Sequence, residues 1–255
     1  VIKDMNWDIN RTVIIVTLIM TSAVVINSLI KSTQPALPDF SVYQDVKQKK
    51  SAFFGFMLPL VEIQNTLIQE QRDKLVELKH LTEEEYSPSH KTFLMQLATQ
   101  YRLKADTIAA AEVQQLLLRV DQIPTSLVLA QAAMESAWGT SRFAVQGNNL
   151  FGQWCYQEGC GLVPLRRNEG SKHEVATFDS VSDAINAYLR NLNTHNAYES
   201  LRTQRAQLRA QNKPVTGYQL AEGLVDYSEL REAYVNEIQA VIRINKLAKY
   251  DQSSP

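Results

Sequence analysis

Apolar residues recur along most of this chain at the three- and four-residue steps of amphipathic helices. Residues 46–79 carry the clearest run, marked by Phe53, Phe54, Met57, Val61, Ile68, Leu75 and Leu78. Pro59 lies inside this run and is expected to kink or restart the helix. Tyr86-Ser87-Pro88-Ser89 breaks the pattern, and helical runs resume over 90–101 and 106–119. Ile123-Pro124-Thr125 opens a further helix reaching Trp138, because proline suits a first helical turn. Later helical patterns cover 180–193, 199–211, 218–224 and 229–248. Ser180 and Asp183 have the spacing of a capping box at the start of the first of these.

Two stretches depart from this pattern. Thr12–Ile30 is 19 residues without a charge, TVIIVTLIMTSAVVINSLI. At about 1.5 Å per residue it can cross a hydrocarbon core of about 30 Å. It is longer than a usual signal-peptide core, and no clear small-x-small cleavage site follows, so an uncleaved anchor is expected. Residues 31–44, with two prolines, read as a spacer. The other departure runs from Gly147 to about Phe178. It is rich in glycine, holds Cys155 and Cys160, and places the turn signal Asn168-Glu169-Gly170 between two strand-like runs. It is the one convincing β segment. The expected fold is therefore mainly α with a small β-hairpin lobe, divided into 1–44 anchor and spacer, 45–89 N-terminal helices, 90–248 main domain and 249–255 tail.

Composition narrows the function. The 255 residues hold 26 Lys and Arg against 27 Asp and Glu, a net charge of −1, so no nucleic acid partner is expected. Two cysteines are too few for a four-thiolate metal site. No metal or other cofactor is expected.

Within 124–138 the sole charged residue is Glu135. Val128, Gln131, Ala132 and Trp138 fall on its side at about 100° per residue. A carboxyl on such an apolar helix is partly desolvated, which raises its pKa and suits it to general-acid work. The competing reading is a structural ion pair with an arginine such as Arg142 or Arg190.

AQAAMESAWGTSRFA followed by GNNLFG resembles the signature of the glucosaminidase domains of glycoside hydrolase family 73. The resemblance spans roughly residues 90–248, through ATFDSVSDAINAYLRNL to DYSELREAYVNEIQAVI. It implies a lysozyme-like fold, an α lobe and a small β lobe around a glycan cleft. It further implies a hydrolase of the β-1,4 bonds of peptidoglycan, with Glu135 as general acid. Asn148, Asn149 and Phe151 of NNLFG correspond to the cleft floor and are expected to bind substrate. A family tyrosine beside the acid best matches Tyr227, with Tyr234 and Tyr198 as weaker matches. Tyr198 is also placed with the substrate-binding residues. The enzyme would sit in a bacterial inner membrane through Thr12–Ile30, with its catalytic domain in the periplasm.

Most glycosidases use two carboxyl groups. Glu169 on the hairpin turn is the first candidate for the second, ahead of Glu174 on the returning strand and Glu158 in the loop between the cysteines. The family's Thr-x-Glu-Tyr context is replaced here by RRNEGSK. Inversion through water, assistance by the substrate's own acetamido group, and a transglycosylase route with one acid all stay open. Outside a cytoplasm Cys155 and Cys160 could pair as a disulfide. Trp154 and Tyr156 are candidates to stack on sugar rings, and Trp138 is expected in the core. Arg202, Arg205 and Arg209 share a helix face, read as solvated or as an attractor of an anionic polymer.

Overall fold

The computed structural model describes residues 35–165 and 173–251. Thr12–Ile30, the turn 168–170 and Glu169 lie outside these residues. Leu37 onward forms one compact unit. Its helices are α1 Val46–Leu78, α2 Pro88–Gln100, α3 Ala110–Arg119, α4 Thr125–Glu135, α5 Arg142–Gly147, α6 Val181–Thr194, α7 Glu199–Ala210, α8 Gly217–Leu220 and α9 Glu232–Ile244. Short 3-10 turns occupy Ala221–Leu224 and Leu247–Tyr250.

The helix starts follow local chemistry. Asp45 accepts from the Gln48 amide at 2.7 Å and caps α1. Ser180 accepts from the Asp183 amide at 3.1 Å and caps α6, as its spacing predicts. Pro59 does not break α1, which runs continuously from Val46 to Leu78. Its ring would press on the carbonyl of Gly55 four residues back. Nothing lies within 4 Å of where a Gly55 side chain would be, so that turn has room to adjust.

α1 is long and apolar enough to cross a membrane by length and composition. Its apolar stripe is nevertheless spent on the protein interior: Phe53, Met57 and Val61 are fully buried. They share one core with α4, α6 and α9 through Leu127, Leu189 and Ile238. The N-terminal helix is thus packed into the same core as the residues around Glu135. A smaller core joins the end of α1 to α2 and α3 through Leu75, Leu94 and Leu116.

Among the described residues the β lobe has three very short strands, β1 Trp154–Cys155, β2 Gly161–Leu162 and β3 Glu174–Ala176, in the order β1-β3-β2. Both pairings are antiparallel, with Trp154 opposite Val175 and Leu162 also opposite Val175. The hairpin is therefore the β2–β3 half of a sheet whose second edge is Trp154–Cys155. Two residues are too few to show alternation, which hid β1 from the sequence pattern.

Candidate active site

α4 is buried from Thr125 through Ala133. Its N-terminus has no side-chain cap of its own, because Pro124 precedes it. Asp251 supplies one from the far end of the chain, accepting from the Ser126 amide at 2.8 Å and its hydroxyl at 2.6 Å. The same carboxylate accepts from the Gly217 amide at 2.9 Å and ties α8 to this end. Burial raises the Asp251 pKa, and these hydrogen bonds partly oppose the rise.

The helix ends at Glu135, three residues short of the expected Trp138. Ala137, Trp138 and Gly139 all take positive φ, at 51°, 63° and 76°. Phe40 packs where a Gly139 side chain would go, 2.5 Å from the ideal Cβ, so only glycine fits. Trp138 is turned off the Glu135 face. It meets Phe53 and Phe54 edge-on at 5.8 and 5.3 Å, under the Lys50 ammonium at 4.7 Å. The terminus that presents Glu135 is thus braced by the N-terminal segment.

Glu135 is half-buried, and burial holds its carboxyl above the usual carboxylate range. It makes no ion pair among the described residues. Arg142, one proposed partner, instead donates to the Val163 carbonyl at 2.7 Å. The partner of Glu135 is neutral: the Tyr234 hydroxyl donates to Oε1 at 2.7 Å and pulls the pKa partly back. Oε2 lies beside Gly152, 3.5 Å from where a Cβ would be, with no other atom within 4 Å of that point. Gly152 has φ 63°, so a larger residue there is disfavoured and the space by Oε2 stays open.

Of the three candidate tyrosines, Tyr234 reaches the acid. Tyr227 stacks on Tyr234 at 5.4 Å and donates its hydroxyl to the Phe151 carbonyl at 2.7 Å. Tyr198 is buried and tilts against Tyr227 at 6.0 Å, its own pKa pushed up to about 12 by burial. Asn148 takes a left-handed conformation as the cap of α5, and its amide donates to the Phe178 carbonyl at 2.9 Å. Asn149 is buried and donates to the carbonyls of Gln153 and Ala176 at 2.9 and 2.8 Å. Phe151 is 1% exposed and stacks on Tyr188 at 4.0 Å. These three residues tie the β lobe to the helices through those contacts; the Asn149 amide and the Phe151 ring are occupied by protein.

The β lobe presents the exposed aromatics. Trp154 is 56% exposed and stacks on His173 at 4.2 Å, and Tyr156 is 74% exposed. Cys155 and Cys160 form a disulfide, with Cα atoms 6.2 Å apart. Their sulfurs and Glu174 lie within 4.8 Å of one another, but paired sulfurs are not thiolate ligands. Glu174 is 5% exposed and accepts from the amides of Gly159 and Gly161 at 3.1 and 2.8 Å, bracing the disulfide loop. Glu158 is exposed.

The arginine face of α7 is corrected outright. Arg205 is 1% and Arg202 6% exposed. Arg205 and Arg209 close on Asp121, at 3.4 and 2.6 Å, and Arg202 donates to the carbonyls of Leu192 and His195. This face braces the interior instead of meeting solvent or polymer. Its acidic partner lies more than 80 positions earlier, so periodicity within α7 could not reveal it.

Residues 110–247 match the glucosaminidase family, described as mannosyl-glycoprotein endo-beta-N-acetylglucosaminidase. The chain belongs to the glucosaminidase family. By family it is a glycosidase. This glucosaminidase is 35% identical over 212 residues to the Protein bax of Escherichia coli (strain K12), covering 83% of this chain and 75% of that protein. The catalytic domain of the autolysin Auto from Listeria monocytogenes aligns with a TM-score of 0.38 at 17% identity, over 71% of this chain and 86% of that one. The family match begins at Ala110, so α1 and α2 precede it, although α1 shares the glucosaminidase core.

Proposed function

We propose that this glucosaminidase cleaves β-1,4 glycosidic bonds of peptidoglycan as an endo-β-N-acetylglucosaminidase, with Glu135 as general acid. The observation that carries this reading is the Glu135 carboxyl itself. It is half-buried, without an ion pair among the described residues, held through Oε1 by Tyr234 and open at Oε2 beside Gly152. A carboxyl whose burial favours the protonated form can give its Oε2 proton to the glycosidic oxygen as the bond to the anomeric carbon breaks. Trp154 and Tyr156 offer exposed faces for pyranose rings. Glu169, the first candidate on the sequence, takes the second role in this reading; Glu174 is engaged with two backbone amides. Thr12–Ile30 anchors the enzyme in the inner membrane, facing the periplasm; the Cys155–Cys160 disulfide suits that oxidising compartment.

The engagement of Glu174 also favours a second reading, a lytic transglycosylase that uses Glu135 alone and leaves anhydro ends. Mass spectrometry of fragments released from peptidoglycan separates the two. Reducing N-acetylglucosamine ends that vanish in Glu135→Gln support the hydrolase. Anhydro ends select the transglycosylase. Sedimentation with the polymer and no fragments from wild type would contradict both and leave a glycan-binding scaffold.

A further inference from the structure

Behind Glu135 runs a chain of hydrogen bonds through buried side chains. Tyr188, 0% exposed, donates its hydroxyl to Gln131 Oε1. Gln131, also 0% exposed, donates through Nε2 to the Tyr234 oxygen at 2.9 Å. Tyr234 then donates to Glu135 Oε1 at 2.7 Å. Every donor points toward the carboxyl.

The same heavy atoms permit the opposite direction. Turned end for end, the Gln131 amide would donate to Tyr188 and accept from Tyr234. The Tyr234 oxygen would then be free to accept a hydrogen bond from Oε1–H of a protonated Glu135. In that arrangement the acid proton sits on the buried oxygen, facing away from Gly152. The Tyr188 hydroxyl decides between the two. Among the described residues its one acceptor is Gln131 Oε1, so turning the amide strands a buried donor, which is costly.

We propose that Tyr188 is a positioning residue whose buried hydroxyl fixes the direction of this relay and thereby keeps the Glu135 proton on Oε2, the oxygen beside Gly152. Tyr188 need not touch substrate to do so. The inference rests on the reading of Glu135 as the acid. Among the described residues the titratable groups around the carboxyl are Tyr234 from α9, Tyr188 from α6, and Tyr227 and Tyr198 from the segments before α9 and α7. Burial drives all four above the ordinary tyrosine value, so none competes with Glu135 for its proton at neutral pH.

The test uses Tyr188→Phe in the full chain, purified in detergent. It keeps the ring that stacks on Phe151 and removes only the hydroxyl. The Glu135 pKa is read by carbon-13 NMR of Glu-labelled protein, assigned against Glu135→Gln, beside kcat and KM on peptidoglycan fragments. Without the hydroxyl both directions become available to the protonated carboxyl. Its pKa rises, the basic limb of the pH profile moves up, and kcat falls about tenfold, a part of the roughly 10²–10⁴-fold a general acid supplies, with KM unchanged. 4-Aminophenylalanine at position 188 restores a donor and brings both values back. An unchanged Glu135 pKa in Tyr188→Phe, or no recovery with the amino analogue, overturns the proposal. A pKa rise in a protein whose wild type cuts no glycan keeps the relay and removes the glycosidase reading.

Discussion

Two carboxylates bracket α4, and their surroundings are opposite. Asp121, just ahead of the helix, is 2% exposed and meets three guanidinium groups, from Arg72, Arg205 and Arg209, at 3.4, 3.4 and 2.6 Å. Glu135, at the other end, is half-buried, meets no cation among the described residues, and is held by one neutral tyrosine. The first is a structural clasp: α1 and α7 are tied to the chain entering α4, and its charge is spent. The second has no counter-ion among the described residues, and burial favours its protonated form. Burial alone therefore does not single out the proposed acid, nor does the lack of a cation, since Asp251 is also half-buried and held by neutral donors. Glu135 differs from both in the open space beside its Oε2 at Gly152.

Breaking each partner should give opposite phenotypes. Glu135→Gln should lower kcat by about 10²–10⁴-fold with the fold intact, checked by fragment release and circular dichroism. Asp121→Ala should do the reverse. It leaves buried arginines unpaired and should cost about 3–5 kcal/mol in urea unfolding, while kcat per folded molecule stays near wild type. Tyr234→Phe falls between them. It removes the one donor to Oε1 among the described residues and should cut kcat about tenfold, the scale of a hydrogen bond to a charged group. That bond lowers the Glu135 pKa, so its loss moves the basic limb of the pH profile upward. Arg209→Ala takes the outermost arginine, 32% exposed, from the clasp and should cost about 1 kcal/mol without touching the pH profile.

Stability against pH sharpens the contrast further. The folded Glu135 pKa is raised above its unfolded value, so folding favours its protonated form. Stability from this group is present below the unfolded pKa and is lost as pH rises through the folded one. Glu135→Gln should thus raise the melting temperature at neutral pH by about 2 °C, on the scale expected for a chain this size, and should change it little below about pH 4.

Much of this was legible in the chain. A lone Glu on an apolar helix, the capping pair at Ser180, and the amphipathic helices follow from local pattern. So does Gln131, which periodicity puts on the Glu135 face and which the relay uses. Other features depend on partners distant in sequence. Tyr227 and Tyr234 are seven residues apart and stack on each other, so spacing could not tell which hydroxyl meets the acid. The arginines of α7 have the periodicity of a solvated face because their carboxylate arrives from before α4. Trp138 leaves the Glu135 face because three successive positive φ values end the helix early, a turn set by Phe40, Phe53 and Phe54 from the N-terminal segment.

The most direct test of the central claim is the pH dependence of kcat for peptidoglycan cleavage by the full chain, wild type beside Glu135→Gln. The account predicts a wild-type rate that falls on the basic side with a midpoint above the ordinary carboxylate range, and no such limb in the residual rate of the variant. A variant that cleaves at the wild-type rate, or a basic limb that survives in it unchanged, would contradict the assignment of Glu135 as the acid.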